Sequence, residues 1–114
     1  MTMLYKNLIR ASLVAGLALT ASAAQIEGTL MDKMCSSAKK DAKTHERTCA
    51  LSPACQKSGF VVATSDGKVL ELDTKGNDQA VKALKASKKK DDLRVTVNGD
   101  VSGAVIKVAS LKLL

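Results

Sequence analysis

Alternating apolar and polar positions predict two half-buried β-strands at opposite ends of the chain. From Gln25 to Asp32, the residues Ile26, Gly28 and Leu30 fall on one side. From Leu93 to Val97, apolar residues occupy every second position and polar residues lie between them. A period of two residues is typical of a strand with one face on the core.

Two further pairs of apolar stretches are separated by turn residues. Strands are predicted at Phe60–Thr64 and Lys68–Asp73, joined through Ser65, Asp66 and Gly67, because Asp-Gly between apolar runs is a strong hairpin signal. Asn98-Gly99-Asp100 is predicted to turn the 93–97 strand back into a last strand within 103–113. Ile106 and Val108 are expected to face inward there.

Helical signals occur in two places. A helix capped by Asn77 or Asp78 is predicted to run to about Ser87, with Val81 and Leu84 on one face. The segment between the first two strands is polar and lacks periodicity. It is predicted to contain a loop from 33 to 44 with room for a helical turn, a short helix over 46–51, and a second turn. That turn starts at Ser52-Pro53 and ends at Gly59.

The predicted order is strand, insert, two strands, helix, two strands. This is the element order of an OB-fold, a small five-stranded Greek-key barrel with one helix between strands 3 and 4. Closure of the sheet would cover its edges and let β-branched residues fill a narrow interior. The chain is therefore predicted to be mainly β, with a cysteine-rich insert at 33–58 between strands 1 and 2.

The first 24 residues have the pattern of a signal peptide. Lys6 and Arg10 form a basic region, an apolar run extends from Ala11 to Leu19, and Ala21-Ser22-Ala23 is a small-residue cleavage signature. The run is too short to span a bilayer, which needs about 20 residues. Cleavage after Ala23 or Ala24 would leave a barrel domain at 25–114, periplasmic or secreted, with no transmembrane segment.

Composition narrows the choice of partners. The net charge is +7, and the basic residues are spread along the chain. This spread favours a charged surface that keeps the domain soluble over a binding site for one anionic ligand. Single-stranded nucleic acid is bound by OB-folds through aromatic stacking platforms beside a basic groove. Phe60 is the only aromatic residue beyond the predicted signal peptide and is expected in the core. The sequence thus argues against a nucleic-acid partner.

The residues best suited to chemistry lie in the insert: Cys35, His45, Cys49 and Cys55. Three thiolates and one imidazole would complete a tetrahedral zinc site, and soft sulfur ligands equally suit Cu(I). On a helix, His45 and Cys49 would project from one face because they are four residues apart. The spacing differs from standard zinc modules, which contain C-x2-C pairs.

Two alternatives use the same cysteines. In an exported protein one disulfide among Cys35, Cys49 and Cys55 would staple the insert and leave one thiol over. A bridge from Cys35 to Cys55 would contribute roughly 3 kcal/mol in the chain-entropy model. In the second alternative, Cys55 is a redox-active thiol at a helix N-terminus, although no C-x-x-C pair accompanies it.

Three stretches carry a family resemblance: IEGTLMDKMC, HERTCALSPACQKSGF and KKKDDLRVTVNGDVSGAVIKVASLKL. They resemble small exported bacterial proteins with an OB-like barrel and a Cys…His-x3-Cys-x5-Cys insert. The resemblance implies the barrel and directs attention to the insert, and it implies no reaction. The sequence-based hypothesis is an exported, non-enzymatic binding module with a zinc or copper site. The alternatives are a disulfide-stapled structural or interaction domain of the cell envelope, with an unidentified envelope component as partner, and a thiol-redox protein.

Overall fold

The computed structural model describes residues 23–114. The predicted signal peptide lies outside the described residues except for its last two positions, Ala23 and Ala24, which begin the first strand. Within the described residues no helix combines the length and the apolar character that crossing a lipid bilayer requires.

Nine elements of regular structure form the described part of the chain. The strands are β1 (Ala23–Asp32), β2 (Phe60–Ala63), β3 (Val69–Leu72), β4 (Arg94–Ser102) and β5 (Val105–Leu113). The helices are α1 (Lys33–Ser37), α2 (Arg47–Ala50), α3 (Pro53–Ser58) and α4 (Thr74–Ala86).

The five strands close into a barrel in the order β1-β2-β3-β5-β4, with β4 returning to β1. All neighbouring strands are antiparallel except β3 and β5, which are parallel. The parallel pair joins the two halves of the barrel, which α4 separates along the chain between β3 and β4. The predicted fold class, a mainly β OB-like barrel with its insert between β1 and β2, is confirmed.

The barrel interior is filled by the alternating apolar residues that the sequence singles out. Leu93, Val95 and Val97 are fully buried, and Ile106 and Val108 face inward as expected. Phe60, the one aromatic residue among those described, lies in this core. The buried cluster consists of Leu30, Ala50, Phe60, Val62, Leu70, Leu72, Ala80, Leu84, Leu93, Val95, Val97, Ile106 and Val108.

The cap of helix α4 lies four residues before Asn77 and five before Asp78, the two caps that the sequence predicted. Asp73 is its N-cap, and the Asp73 carboxylate accepts a hydrogen bond of 2.9 Å from the Gly76 N–H. The predicted cap Asn77 lies inside the helix, and its Oδ1 instead accepts a hydrogen bond of 2.9 Å from the Phe60 N–H at the start of β2. The prediction placed the cap at the wrong polar residue because both side chains suit that role locally.

The predicted turn at Asn98-Gly99-Asp100 is also wrong. Strand β4 continues to Ser102, and the chain reverses at Gly103, which has φ of 61°. Gly99 lies at a register shift between β4 and β5, where a Cβ atom would collide with the Lys107 carbonyl oxygen. Gly99 is therefore required by a close approach of two backbones at a β-bulge.

The insert is more helical than predicted and is held by contacts with the core and with neighbouring backbone. α1 forms where a loop was expected, while α2 and α3 match the two predicted helical turns. Ala50 of α2 is fully buried in the core. The backbone N–H of Arg47 donates to the Lys90 carbonyl at 2.8 Å, and the Lys33 N–H donates to the Gly59 carbonyl at 2.8 Å. These contacts hold the insert against the end of β1 and the α4–β4 connection.

Candidate metal centre

Asp32 connects the barrel to the candidate site. It is the last residue of β1 and the N-cap of α1, and its Oδ2 accepts a hydrogen bond of 2.8 Å from the Cys35 N–H. An aspartate is well suited to this position because its carboxylate satisfies an N–H group that the first helical turn leaves unpaired. The cap places Cys35 in the first turn of α1, directly beside the end of the strand.

His45 is buried and held by the same carboxylate. Its Nε2 lies 2.7 Å from Oδ1 of Asp32, and both side chains are almost completely excluded from solvent. When the neutral ring donates through Nε2, its Nδ1 carries the lone pair and can bind a metal ion. Metal-ligating histidines commonly have this second partner, which fixes the ring orientation and increases its basicity.

Cys49 completes a group of three side chains that could hold a metal ion, by a route other than the predicted one. It lies on α2, but His45 precedes that helix, whose N-cap is Glu46. The two residues therefore do not share a helix face, and the turn before α2 brings them together instead. The ligand atoms of Cys35, His45 and Cys49 all lie within 4.8 Å of one another.

A cavity of about 240 Å³ adjoins this group of three, which forms part of its wall. The remaining wall residues are Lys40, Asp41, Thr44 and Glu46. Cys49 is exposed, Cys35 is partly exposed and His45 is buried. The group is therefore accessible from one side, so an ion bound there could exchange with solvent or with a partner.

Cys55 belongs to a second group of side chains that could hold a metal ion. It is buried on α3, and its Sγ lies within 4.8 Å of ligand atoms of both Asp32 and Cys35. The structure thus does not bring the four predicted ligands into one mutual group. Cys35 is common to both groups, and Asp32 takes part in the second.

Asp32 was absent from the residues that the sequence singled out. The alternation in β1 contained a signal for it, since Gly28, Leu30 and Asp32 fall on the same buried side of the strand. A carboxylate that continues an inward-facing apolar row is costly to bury unless it has polar partners. The same pattern that predicted β1 therefore indicates a buried, hydrogen-bonded aspartate at its end.

Hydrogen bonds determine the charge state of Asp32. Burial alone would raise the pKa of the Asp32 carboxyl. The Cys35 N–H, the His45 ring and the Cys55 thiol together outweigh burial and hold this pKa below its ordinary value. A charged, buried carboxylate therefore contacts both groups: it belongs to the group with Cys55 and is hydrogen-bonded to His45 of the other.

The pKa of the Cys35 thiol is shifted the other way. Burial, followed by the charge of Asp32 and the neighbouring thiols Cys49 and Cys55, raises this pKa to about 12. Without a cation the Cys35 thiolate is thus disfavoured, first by burial and then by the negative charge of Asp32. A bound metal ion reverses that balance, because its positive charge stabilises a coordinating thiolate.

The cysteines are free thiols in the structure. Cys35, Cys49 and Cys55 all belong to the described residues, and none of them forms a disulfide. The burial of Cys55 limits the access that a redox partner would need. Ser52, predicted to cap α3, occupies the N-cap position, but its side chain makes no capping hydrogen bond.

The fold and the site define a class: a five-stranded OB-like barrel with a Cys/His cluster on the insert between β1 and β2. A comparison of the chain with known protein families, with curated proteins and with solved structures finds no match.

Proposed function

We propose that the protein is an exported binding module that holds a soft metal ion, zinc or Cu(I), through Cys35, His45 and Cys49. The observation that carries this proposal is the convergence of two thiols and one imidazole within 4.8 Å, with the imidazole oriented by Asp32. Thiolate and imidazole are the ligands that zinc and Cu(I) prefer in proteins.

The charges of the site favour a cation of this type. Two thiolates balance the charge of one zinc ion, a neutral imidazole adds none, and the ionised Asp32 adds one further negative charge beside the site. The Asp32 carboxylate then serves as the hydrogen-bond acceptor that fixes the His45 ring. A fourth position on the ion would face the cavity, where water or a group from a partner could bind.

Export is the part of the proposal that depends on the N-terminal pattern of residues 1–24. Outside the cytoplasm neighbouring thiols tend to oxidise. A bound ion would keep Cys35 and Cys49 in the thiolate form and protect them from pairing with each other. Metal binding therefore explains how free cysteines could be retained in an oxidising compartment.

The test is an intact mass of the protein exported by its own N-terminal segment, measured under native and denaturing conditions. We expect a fully reduced chain that carries metal only under native conditions. His45→Gln and Cys49→Ser should each reduce metal retention strongly. Thr48→Ala, which changes an exposed neighbour on α2, should retain metal as the wild type does.

One result would replace this proposal by the disulfide-stapled domain. A denatured chain lighter by two hydrogens, with no metal uptake even after reduction, would mean that two cysteines are bonded in the working protein. Cys35 would be one of the pair, since its sulfur lies within 4.8 Å of those of both Cys49 and Cys55. Metal uptake after reduction would leave the proposal in place for the reduced protein.

A further inference from the structure

We infer that the insert binds a second divalent metal ion at Asp32, Cys35 and Cys55, joined to the first ion through a shared Cys35 thiolate. The ligand atoms of these three residues lie within 4.8 Å of one another, like those of the first group. We call the group of Cys35, His45 and Cys49 the outer site, and this second group the inner site. The inference rests on the proposed function, because the two sites share Cys35.

The geometry of the inner site suits an ion of zinc type. Zinc binds sulfur at about 2.3 Å and carboxylate oxygen at about 2.0–2.2 Å, so tetrahedral ligand atoms lie roughly 3.3–3.8 Å apart. The three ligand atoms already lie within 4.8 Å of one another, so they need only small side-chain movements to reach that spacing. A thiolate sulfur has more than one lone pair, so Cys35 can bind two ions at once.

Asp32 retains acceptor capacity for such an ion. A carboxylate has about four lone-pair positions. Its Oδ1 faces the His45 ring and its Oδ2 faces the Cys35 N–H, which leaves one position on each oxygen. The Cys55 thiol lies beside this carboxylate, and loss of its proton to solvent on metal binding would turn it into the third ligand.

Charge neutrality selects divalent ions for the pair of sites. Three thiolates, one carboxylate and a neutral imidazole carry four negative charges. Two zinc ions balance these charges, whereas two Cu(I) ions would leave a net negative charge in a poorly solvated cluster. Burying an uncompensated charge is costly. The inference therefore narrows the metal of the proposed function to zinc when both sites are filled.

Burial distinguishes the two sites. Asp32 is 0% exposed and Cys55 is 6% exposed, whereas Cys49 in the outer site is exposed. An ion in the inner site has little access to water or to competing ligands. We therefore expect the outer ion to exchange faster than the inner one.

The experiment titrates the reduced full-length chain with Zn²⁺ and counts bound ions by native mass spectrometry. We expect two zinc ions on the wild type and on Thr48→Ala. One ion is expected on Cys55→Ser and one on Cys49→Ser. Cys35→Ser should bind neither ion, because both sites lose their shared ligand. Circular dichroism of each variant verifies that the barrel is folded.

A second readout uses the wild type alone, so it does not depend on the folding of a variant. Titration with Co²⁺ should give thiolate charge-transfer absorbance that rises over two equivalents and changes form between the first and the second, as Cys35 becomes bridging. A rise that ends at one equivalent would overturn the inner site.

The outcomes separate this inference from the proposed function. One zinc ion on the wild type, lost in Cys49→Ser and kept in Cys55→Ser, leaves the outer site standing and overturns the inner one. Two ions that both persist in Cys55→Ser would also overturn the inner site as assigned. No bound zinc on the reduced wild type would overturn both.

Discussion

The Nε2 atom of His45 lies 2.7 Å from Oδ1 of Asp32, and the second oxygen of the same carboxylate accepts the N–H of Cys35. One buried side chain thus determines both the ring orientation of His45 and the start of the helix that bears Cys35. The geometry of the outer site therefore depends on a residue that continues the apolar row of β1. This relationship leads to the first prediction.

Asp32→Asn should lower the affinity of the outer site for zinc by about 10- to 100-fold, the usual effect of losing the partner of a metal-bound histidine. The Cys35 N–H and the His45 ring face different oxygens of the carboxylate, and an amide replaces one of these oxygens by an NH2 group that cannot accept. The variant should also lose about 1–3 kcal/mol in the free energy of unfolding because a buried donor is left without a partner.

Competition against a chromophoric chelator measures the affinity, and urea unfolding measures the stability. Asp78→Asn is the matched control, since it removes an exposed carboxylate on α4, away from the site, and should change neither value appreciably. Zinc binding to Asp32→Asn with wild-type affinity would show that His45 does not need the carboxylate.

Leu84→Ala should lower the free energy of unfolding by about 2–5 kcal/mol, the usual cost of truncating a buried leucine. Leu84 is fully buried on α4 against the barrel core, so the substitution leaves a cavity at the helix–barrel interface. Lys85→Ala, on the exposed side of the same helix, should stay within about 0.5 kcal/mol of the wild type. Urea unfolding checks both, and equal losses would contradict the position of α4.

Gly99→Ala should destabilise the barrel more than Gly103→Ala. A Cβ atom at Gly99 would collide with the Lys107 carbonyl, which belongs to the neighbouring strand and cannot yield without shifting the ladder. A Cβ atom at Gly103 meets nothing within 4 Å, so only its positive φ of 61° opposes the substitution, at about 1–2 kcal/mol. Thermal unfolding compares the two variants. A larger loss at Gly103 would show that the backbones of β4 and β5 do not approach each other closely at Gly99.

These two glycines show how far the sequence predicts the fold. A period of two identifies a strand and its buried face, so Leu93, Val95, Val97 and Ile106 were assigned correctly. The same short-range signals cannot separate a turn from a bulge, because both favour glycine beside small polar residues. The end of β4 is decided instead by its pairing with β5, which involves residues on another strand.

The candidate site was predicted by residue type but not by arrangement. Cysteine and histidine can be recognised in a sequence as the residue types that bind soft metal ions, and Cys35, His45 and Cys49 do lie close together. Cys55 lies in a second group because of the way α1 and α3 pack together, and this packing cannot be predicted from the local sequence. The short helix α1 has no apolar face, so it could not be predicted from periodicity and depends on its cap at Asp32.

The hairpin between β2 and β3 should weaken at acidic pH through Asp66. The Thr64 hydroxyl and the Lys68 N–H donate to this carboxylate and hold its pKa below the ordinary value of 3.8. Because the folded-state pKa is the lower one, folding favours the ionised form. The resulting stabilisation is present above the unfolded-state pKa and is lost as the pH falls through the folded-state pKa.

An NMR titration of the Asp66 carboxyl carbon measures this value directly. Thr64→Val should raise the pKa of Asp66 toward 3.8, since it removes the largest cause of the shift. A wild-type midpoint at or above 3.8 would show that the turn hydrogen bonds are not formed in solution.

Removal of metal should loosen the insert and leave the barrel intact. Much of the insert from α1 through α2 lies near the surface, and apart from Ala50 it contributes little to the buried core. A metal ion at the outer site would join α1, the turn that carries His45, and α2. Chelation should therefore speed amide hydrogen exchange across residues 33–51 by at least about tenfold, as expected when a local opening becomes less costly.

The amides of β4 and β5 belong to the barrel ladder and should exchange at unchanged rates in the same sample. Exchange in the insert that is identical before and after chelation would mean that its backbone contacts to Gly59 and Lys90 already hold it, and that the ion contributes nothing to its order.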